Sequence, residues 1–338
     1  ERTMMRARLI SGHDAEGWAA ALDGLAHGIA HTHRFATLMG HNQEASVHLF
    51  VAENANGKAV CPIAERAFDG ARDVYSPYGF GGFVGAGDLS NLRAAWTLFA
   101  QERAYVASYI MQNPAFIPPD FETLWADCLH KARPIYMIDL TLPEDTRLKA
   151  VSSRKRVELK RWLATAQPEY DQGVLAQAFV ELYPGFAKRR NMPALYHFSK
   201  ETLEKLVTLP DTCLVGVRGA DRQVGCVALL STNAACGDYL FMASSPQGEK
   251  DGAGTLWLGL RTQAARGVRL CNLGGGIQNE DGVAEMKRRL GGQVHEVTTI
   301  QQVFDAPRYQ ALCTSAGVAA DDGRFFPAYH APASGRRV

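Results

Sequence analysis

The sequence lacks most of the features that would assign a protein at sight. It has no CxxC pair among its seven cysteines, whose odd number and scattered spacing argue against a disulfide framework and against a zinc ribbon. No apolar run approaches the roughly 18 residues of a membrane span. Charge of one sign is also missing: 36 basic residues face 35 acidic ones, so no global field holds a nucleic acid, although a local basic patch stays compatible with the balance. The Gly274-Gly275-Gly276 run follows a strand-like stretch but lacks the GxGxxG spacing and the downstream acid of a dinucleotide site. His27, His31, His33 and His41 cluster near the start, with His27 and His31 one helical turn apart. No cysteine or carboxylate completes a metal set, so structural roles are expected for them and no metal.

What is present is an ordinary globular composition, 46% hydrophobic and 21% charged, over 338 residues. That length exceeds what one core usually serves, so two domains are expected. Free thiols point to a reducing, cytoplasmic setting, while Glu1 at the start leaves a removed leader open.

Two segments repeat one pattern. In the first, Ser46 to Ala52 reads as a strand, Asn54 to Gly57 as a turn, Ala59 to Ala64 as its partner and Asp73 to Tyr75 as another strand. The glycine-rich run Ser76 to Phe83, a helix from about Asn91 to Arg103 and a strand over Tyr105 to Ile110 follow. In the second, Cys213 to Arg218, a turn at Gly219 to Arg222, Val224 to Leu230 and Asp238 to Met242 come first. A glycine loop over Gly248 to Gly254, a helix from about Thr255 to Arg266 and a strand at Arg269 to Leu273 complete it. The order repeats while residue identity is slight. Helical material lies between. Asp145 to Ala164 puts Leu148, Val151, Leu159, Trp162 and Leu163 on one stripe, with Arg154, Arg156, Lys160 and Arg161 turned away as a solvated or phosphate-facing surface. Val174 to Arg190 ends in cations suited to a helix C-terminus, and Ser199 caps a helix over Lys200 to Val207.

This order of elements resembles the core of GNAT acyltransferases, in which a glycine loop before a helix receives the pyrophosphate of coenzyme A. Backbone N–H groups at a helix start attract phosphate, and glycine permits close approach. Glu249-Lys250-Asp251-Gly252-Ala253-Gly254 fits the glycine spacing of that loop, with Glu249 where the family has Gln or Arg. Three further stretches resemble the FemABX and related tandem-GNAT enzymes. They are Ser76-Pro77-Tyr78-Gly79-Phe80-Gly81-Gly82; Lys188 to Met192 followed by Tyr196 to Ser199; and Leu273 to Gly276 with Asp281, Gly282, Lys287 and Leu290 to Gly292, Met286 replacing the usual aromatic. Together they span about residues 45 to 292.

The resemblance implies an α/β fold of two GNAT-like domains in tandem, mixed sheets flanked by helices, expected here as residues 1–145 and 146–338. It implies acyl-CoA as donor, bound through Gly252, Ala253, Gly254 and Thr255, and Lys287 as the residue that stabilises charge during transfer. Asp281 would orient that lysine or cap its helix, and Tyr239, beside Asp238 on the preceding strand, is a candidate catalytic group. Tyr75, Tyr78 and Gly79 of the first glycine run offer a surface for stacking a sugar or peptide acceptor. Arg34, Arg189 and Arg190 are candidates for an acceptor's diphosphate, and Tyr196 is a further candidate for binding the substrate. The function expected is N-acyl transfer from acyl-CoA to an amino group of a sugar or peptide precursor, the acceptor a small or nucleotide-linked amine. Aminoacyl-tRNA is the alternative donor, for a cell-wall precursor. A non-catalytic protein that binds an envelope precursor is the alternative from another class.

Overall fold

The computed structural model describes residues 4–276, 282–321, 323 and 325–331. Asp281 lies outside the described residues. The chain forms two compact units, residues 1–132 with 297–338, and residues 133–296. The units therefore do not divide at 145/146, and the C-terminal stretch belongs to the first of them.

In the first unit β1 (Arg6–Ser11), β2 (Ser46–Glu53), β3 (Gly57–Phe68), β4 (Ala71–Tyr75), β5 (Val84–Gly87), β6 (Tyr105–Gln112) and β7 (Leu129–Lys131) accompany helices α1 (Ala15–Leu22), α2 (His33–Asn42), α3 (Leu92–Glu102) and α4 (Phe121–Trp125). The second unit holds β8 (Ile135–Asp139), α5 (Glu144–Ala150), α6 (Ser153–Thr165), β9 (Pro168–Glu169), α7 (Gln172–Arg189), α8 (Lys200–Leu206) and β10 (Thr212–Arg218). After these come β11 (Val224–Ser231), β12 (Gly237–Ser244), α9 (Gly252–Ala265), β13 (Leu270–Gly274), α10 (Gly282–Arg289) and β14 (Gln293–His295). The chain then re-enters the first unit with β15 (Thr298–Val303) and α11 (Ala306–Ala316).

The sheets share one plan. The first runs β1-β2-β3-β4-β6-β15-β7, with β5 added on β3; the second runs β9-β10-β11-β12-β13-β8-β14. Each has four antiparallel strands, then one parallel pair joined through a helix (β4/β6 through α3, β12/β13 through α9), then antiparallel strands again. The repeat expected from sequence is thus a repeat of strand order. Its last members could not be read from local pattern, because β15 reaches the first sheet by pairing with β6 and β7 from far along the chain.

The parallel pairs differ. In the first unit β4 and β6 pair from Arg72/Tyr105 to Tyr75/Tyr109, and the Ser76 N–H continues onto the Tyr109 carbonyl. In the second unit β12 and β13 pair only at Gly237/Cys271 and Asp238/Asn272. Just past that point β12 carries a bulge, where the register against β11 shifts between Leu229/Phe241 and Leu230/Tyr239. A bulge re-aims the side chains around it and ends regular pairing.

Each unit has its own core. In the first, Phe50, Phe83, Trp96, Phe99 and Trp125 pack edge-on and stacked between sheet and helices. In the second, α9 lays Leu256, Trp257 and Leu260 on Val215, Ala228 and Leu230, and on the other side of the sheet Phe179, Tyr183, Phe198 and Phe241 form a second aromatic group. The single helix expected over Asp145 to Ala164 is two helices. Val151 and Ser152 take extended dihedrals, and the Ser152 N–H bonds the Arg289 carbonyl instead of continuing the helical ladder. All seven cysteines are free and buried. Among the described residues no helix is long and apolar enough to cross a membrane.

Candidate functional site

The residues singled out in the second unit fall into two places. The first is the fork where β12 leaves β13. Tyr239 sits on the bulge, and α10 brings Lys287 over its ring, Nζ 5.9 Å from the centroid. Lys287 is only 5% exposed, and its Nζ donates a 2.7 Å hydrogen bond to the Gly275 carbonyl just beyond β13. Packing an ammonium this deeply needs partners, which the carbonyl and the π face supply. The lysine is therefore part of the interior as well as a candidate for chemistry. Burial pushes the Tyr239 hydroxyl well above the usual tyrosine range, while the Arg190 charge acts on it in the opposite sense. Burial raises Tyr183 too, and Tyr196 and Tyr239 add to that shift. Lys287, Tyr239, Arg190 and Tyr196 thus lie about one aromatic neighbourhood.

Asp238, the last residue of β12 paired with β13, is buried on the side opposite Tyr239. It receives hydrogen bonds from Asn272 Nδ2 (3.1 Å) and the Ser231 hydroxyl (3.3 Å). Burial outweighs both bonds and pushes its carboxyl up to about 7. A carboxyl so poised exchanges a proton near neutrality, which is what an acid–base group requires. The sequence placed Asp238 on this strand beside Tyr239 but gave no reason to expect the shift, which comes from Ser231 and Asn272 arriving on neighbouring strands within a closed interior.

The second place is the start of α9. The glycine loop ends earlier than expected: Glu249–Asp251 is a short 3-10 turn, and Gly252, Ala253 and Gly254 form the first helical turn. Thr255 is fully buried. Arg189 donates to Glu249 (2.9 Å), and Trp162 Nε1 to Asp251 (2.7 Å). A Cβ on Gly254 would lie 2.4 Å from the Trp162 ring, so that glycine serves a close helix–helix approach. Two carboxylates and an indole stand where the phosphate of coenzyme A was expected. This helix start, as arranged, does not fit an open pyrophosphate cradle; only Gly252, facing the flexible Met242 thioether at 3.1 Å, leaves room for adjustment. Gly254→Val is expected to cost about 2 kcal/mol through overpacking against Trp162. Equilibrium urea denaturation would read this as a lower midpoint, and an unchanged midpoint would mean that Trp162 swings clear.

The candidates of the first unit have their own surroundings. The run Ser76 to Phe83 is pinned from three sides. Asn113 Nδ2 donates to the Phe80 carbonyl, Gln112 bridges the Phe83 N–H and carbonyl, and His31 donates to the Gly82 carbonyl. Gly82 has φ +88, and a Cβ there would meet Gln112 Oε1 at 2.5 Å; Gly79 has φ +107 and abuts Ala30 and Phe35. These glycines make a buried bend possible. Tyr75 is half-buried beneath the Arg66 guanidinium, Tyr78 packs on Phe35, and Arg34 is exposed. Of the early histidines, His27 bonds the Leu25 carbonyl and His33 the Gly12 carbonyl. No group of three metal-ligating side chains occurs among the described residues. A further cluster, announced by no motif, lies on the same sheet. Asp73, buried on β4, accepts from Arg66 (2.9 Å), Tyr329 (2.6 Å) and His330 (2.7 Å), which ties the C-terminal segment to the first sheet.

No family model matches the chain, and no curated protein matches it in sequence. Solved structures do. FemX is similar over 91% of this chain and 99% of its own, with a TM-score of 0.66 at 14% identity. L-PGS from Bacillus licheniformis matches over 90% of this chain and 97% of its own, with a TM-score of 0.54 at 13% identity. A conserved protein of unknown function from Bacteroides thetaiotaomicron matches over 89% and 100%, with a TM-score of 0.57 at 10% identity. At such identities the likeness is one of fold, and this chain has the fold of FemX, two α/β units in tandem, as its motifs had suggested.

Proposed function

We propose that the second unit transfers an acyl group to an amine, the acceptor being an amino group of a sugar or peptide precursor. The observation that carries this reading is the fork between β12 and β13, with Tyr239 and Lys287 at its mouth and Asp238 at its base. Past Asp238 the edge of β12 that faces β13 has no pairing with that strand, so its backbone groups are able to receive an extended donor arm as a strand would be received. In the transfer the amine nitrogen attacks the donor carbonyl, its proton passes to a base, and the bond to the leaving group breaks. An ammonium held at the mouth stabilises the negative charge that develops on the carbonyl oxygen.

Acyl-CoA is the donor first expected, and the fork is what supports it. The start of α9 supports the other donor: Glu249, Asp251 and the Trp162 ring crowd the place of the pyrophosphate, and an aminoacyl-tRNA would not need it. Melting the protein with acetyl-CoA, longer acyl-CoAs and aminoacyl-tRNA decides between them, since a ligand that binds only the native state raises its stability. An acyl-CoA donor predicts a rise of several degrees, lost on replacing Gly252 by a bulky residue. A rise with aminoacyl-tRNA alone moves the donor to the second reading. A rise with neither, together with no transfer from either, leaves a protein that binds an envelope precursor without chemistry.

A further inference from the structure

The charge of this nearly neutral chain is unevenly placed within the second unit. α6 begins where α5 and α10 end: the Ser152 N–H bonds the Arg289 carbonyl, the Arg156 guanidinium bonds the Lys149 carbonyl, and a Cβ on Gly291 would lie 3.2 Å from Ala150. At this corner Lys149, Arg154, Lys155, Arg156, Lys160, Arg161, Arg288 and Arg289 supply eight positive charges outside the core, against Glu158 and Glu285. The local balance is eight minus two, or +6, so the rest of a +1 chain sums to −5.

Five of these cations have partners in the fold, Arg154 and Lys155 with Glu158, Arg156 with the Lys149 carbonyl, and Arg288 and Arg289 with Glu285, and two acids do not balance them. α6 buries Leu159 and packs Trp162 and Leu163 on the core, whereas Arg154 is 90% exposed. Among the described residues the side chains of Lys149, Lys160 and Arg161 make no hydrogen bond or ion pair. Crowding like charges on one helix opposes folding, so the gain lies outside the fold. The outer face of α6 also carries an apolar group: Val157, 49% exposed, is three residues after Arg154 and four before Arg161, on the same side of the helix. An apolar residue set among cations on a convex helical face suits a layer of phosphates with hydrocarbon beneath it, and Arg154, Val157, Lys160 and Arg161 include no ring on which a base would stack.

We infer that the outer face of α6, with the adjoining ends of α5 and α10, docks on an anionic phospholipid surface. Lys287 and these cations share α10, Lys287 turned inward and Arg288 and Arg289 outward. Docking therefore sets the candidate lysine at a fixed place relative to a bilayer.

The test is co-sedimentation of the full chain with vesicles of phosphatidylcholine alone or of phosphatidylcholine with phosphatidylglycerol. Binding is expected only to the anionic vesicles, weakening as salt rises from about 0.05 to 0.5 M. Each basic residue at such a surface is worth about fivefold in affinity. The triple variant Arg154→Glu/Lys160→Glu/Arg161→Glu should lose at least tenfold. Its melting temperature should match the wild type, which shows that the fold survives. A control with the same charge change elsewhere, Arg6→Glu/Lys200→Glu/Arg266→Glu, should keep binding. Absence of phosphatidylglycerol-dependent binding overturns the inference, as does equal loss in both variants, which would make the attraction one of net charge alone. Tighter binding to a duplex RNA, with vesicles released by it at equal phosphate concentration, would overturn it in favour of a nucleic-acid surface. Binding is read without turnover, so acyl transfer stands or falls on its own experiment whichever way the vesicles behave.

Discussion

Lys287→Ala is expected to lower single-turnover transfer by ~10²-fold or more while substrate binding changes little. The ammonium at the mouth of the fork would act on charge that exists only during the reaction, so its loss falls on the rate and not on the ground state. Lys287→Arg keeps the charge but changes its shape and reach, so partial activity should return. Because Lys287 is buried and donates to the Gly275 carbonyl, its removal also leaves that oxygen without this donor, at a cost of about 1 kcal/mol or a little more. Lys287→Met, which keeps most of the stem, separates the two effects. A lysine that only holds α10 against β13 would give lower melting temperatures in Ala and Met alike, with transfer per folded molecule unchanged. That outcome would turn the function toward precursor binding without chemistry.

The second large effect is a loss of stability in acid centred on His31. Its ring is fully buried, the Gly28 N–H donates to Nδ1 and Nε2–H donates to the Gly82 carbonyl, so the neutral tautomer is fixed from both sides. Burial and, next, the neighbouring His27 lower its pKa from 6.5 to about 4. A proton on Nδ1 would face the Gly28 N–H directly. The unfolded chain takes up this proton below 6.5 and the folded one only near 4, so stability from this group is complete above pH 6.5 and falls as pH drops toward 4. The loss by pH 4 is about 3 kcal/mol. Urea midpoints measured at intervals between those limits would show it. His31→Gln should be less stable at neutral pH yet show a shallower decline across the same interval. Parallel declines in wild type and variant would place the acid sensitivity elsewhere.

The two effects rest on residues whose surroundings were visible in the sequence to different degrees. The strands over Ser46 to Glu53 and Thr212 to Ser231, the long helix ending at Arg189 and the Ser199 cap are local matters of alternation, helical period and side-chain capping, and the chain spells them out. The glycine runs and the Lys287 segment were legible as motifs, because a motif is a short string. What the string could not say was the use of each residue. Gly254 matched a phosphate loop, and in three dimensions its missing side chain makes room for Trp162, a neighbour contributed by a helix far earlier in the chain. Tyr78 and Gly79 read from sequence as a binding surface, and in three dimensions Gln112, Asn113 and His31 arrive from other elements to hold that stretch as a bend. The division of the chain into units was hidden because β15 belongs to the first sheet through a partner nearly two hundred residues away, and no local signal encodes such pairing. The sequence by itself determined the central elements of each unit, their repeated order and the resemblance in fold. Tertiary structure alone decided that only the second sheet opens after Asp238, that burial carries that carboxyl toward neutrality, and that Lys287 is interior. Strand separation, desolvation and helix contacts are properties of what meets across the chain, and composition along it does not contain them.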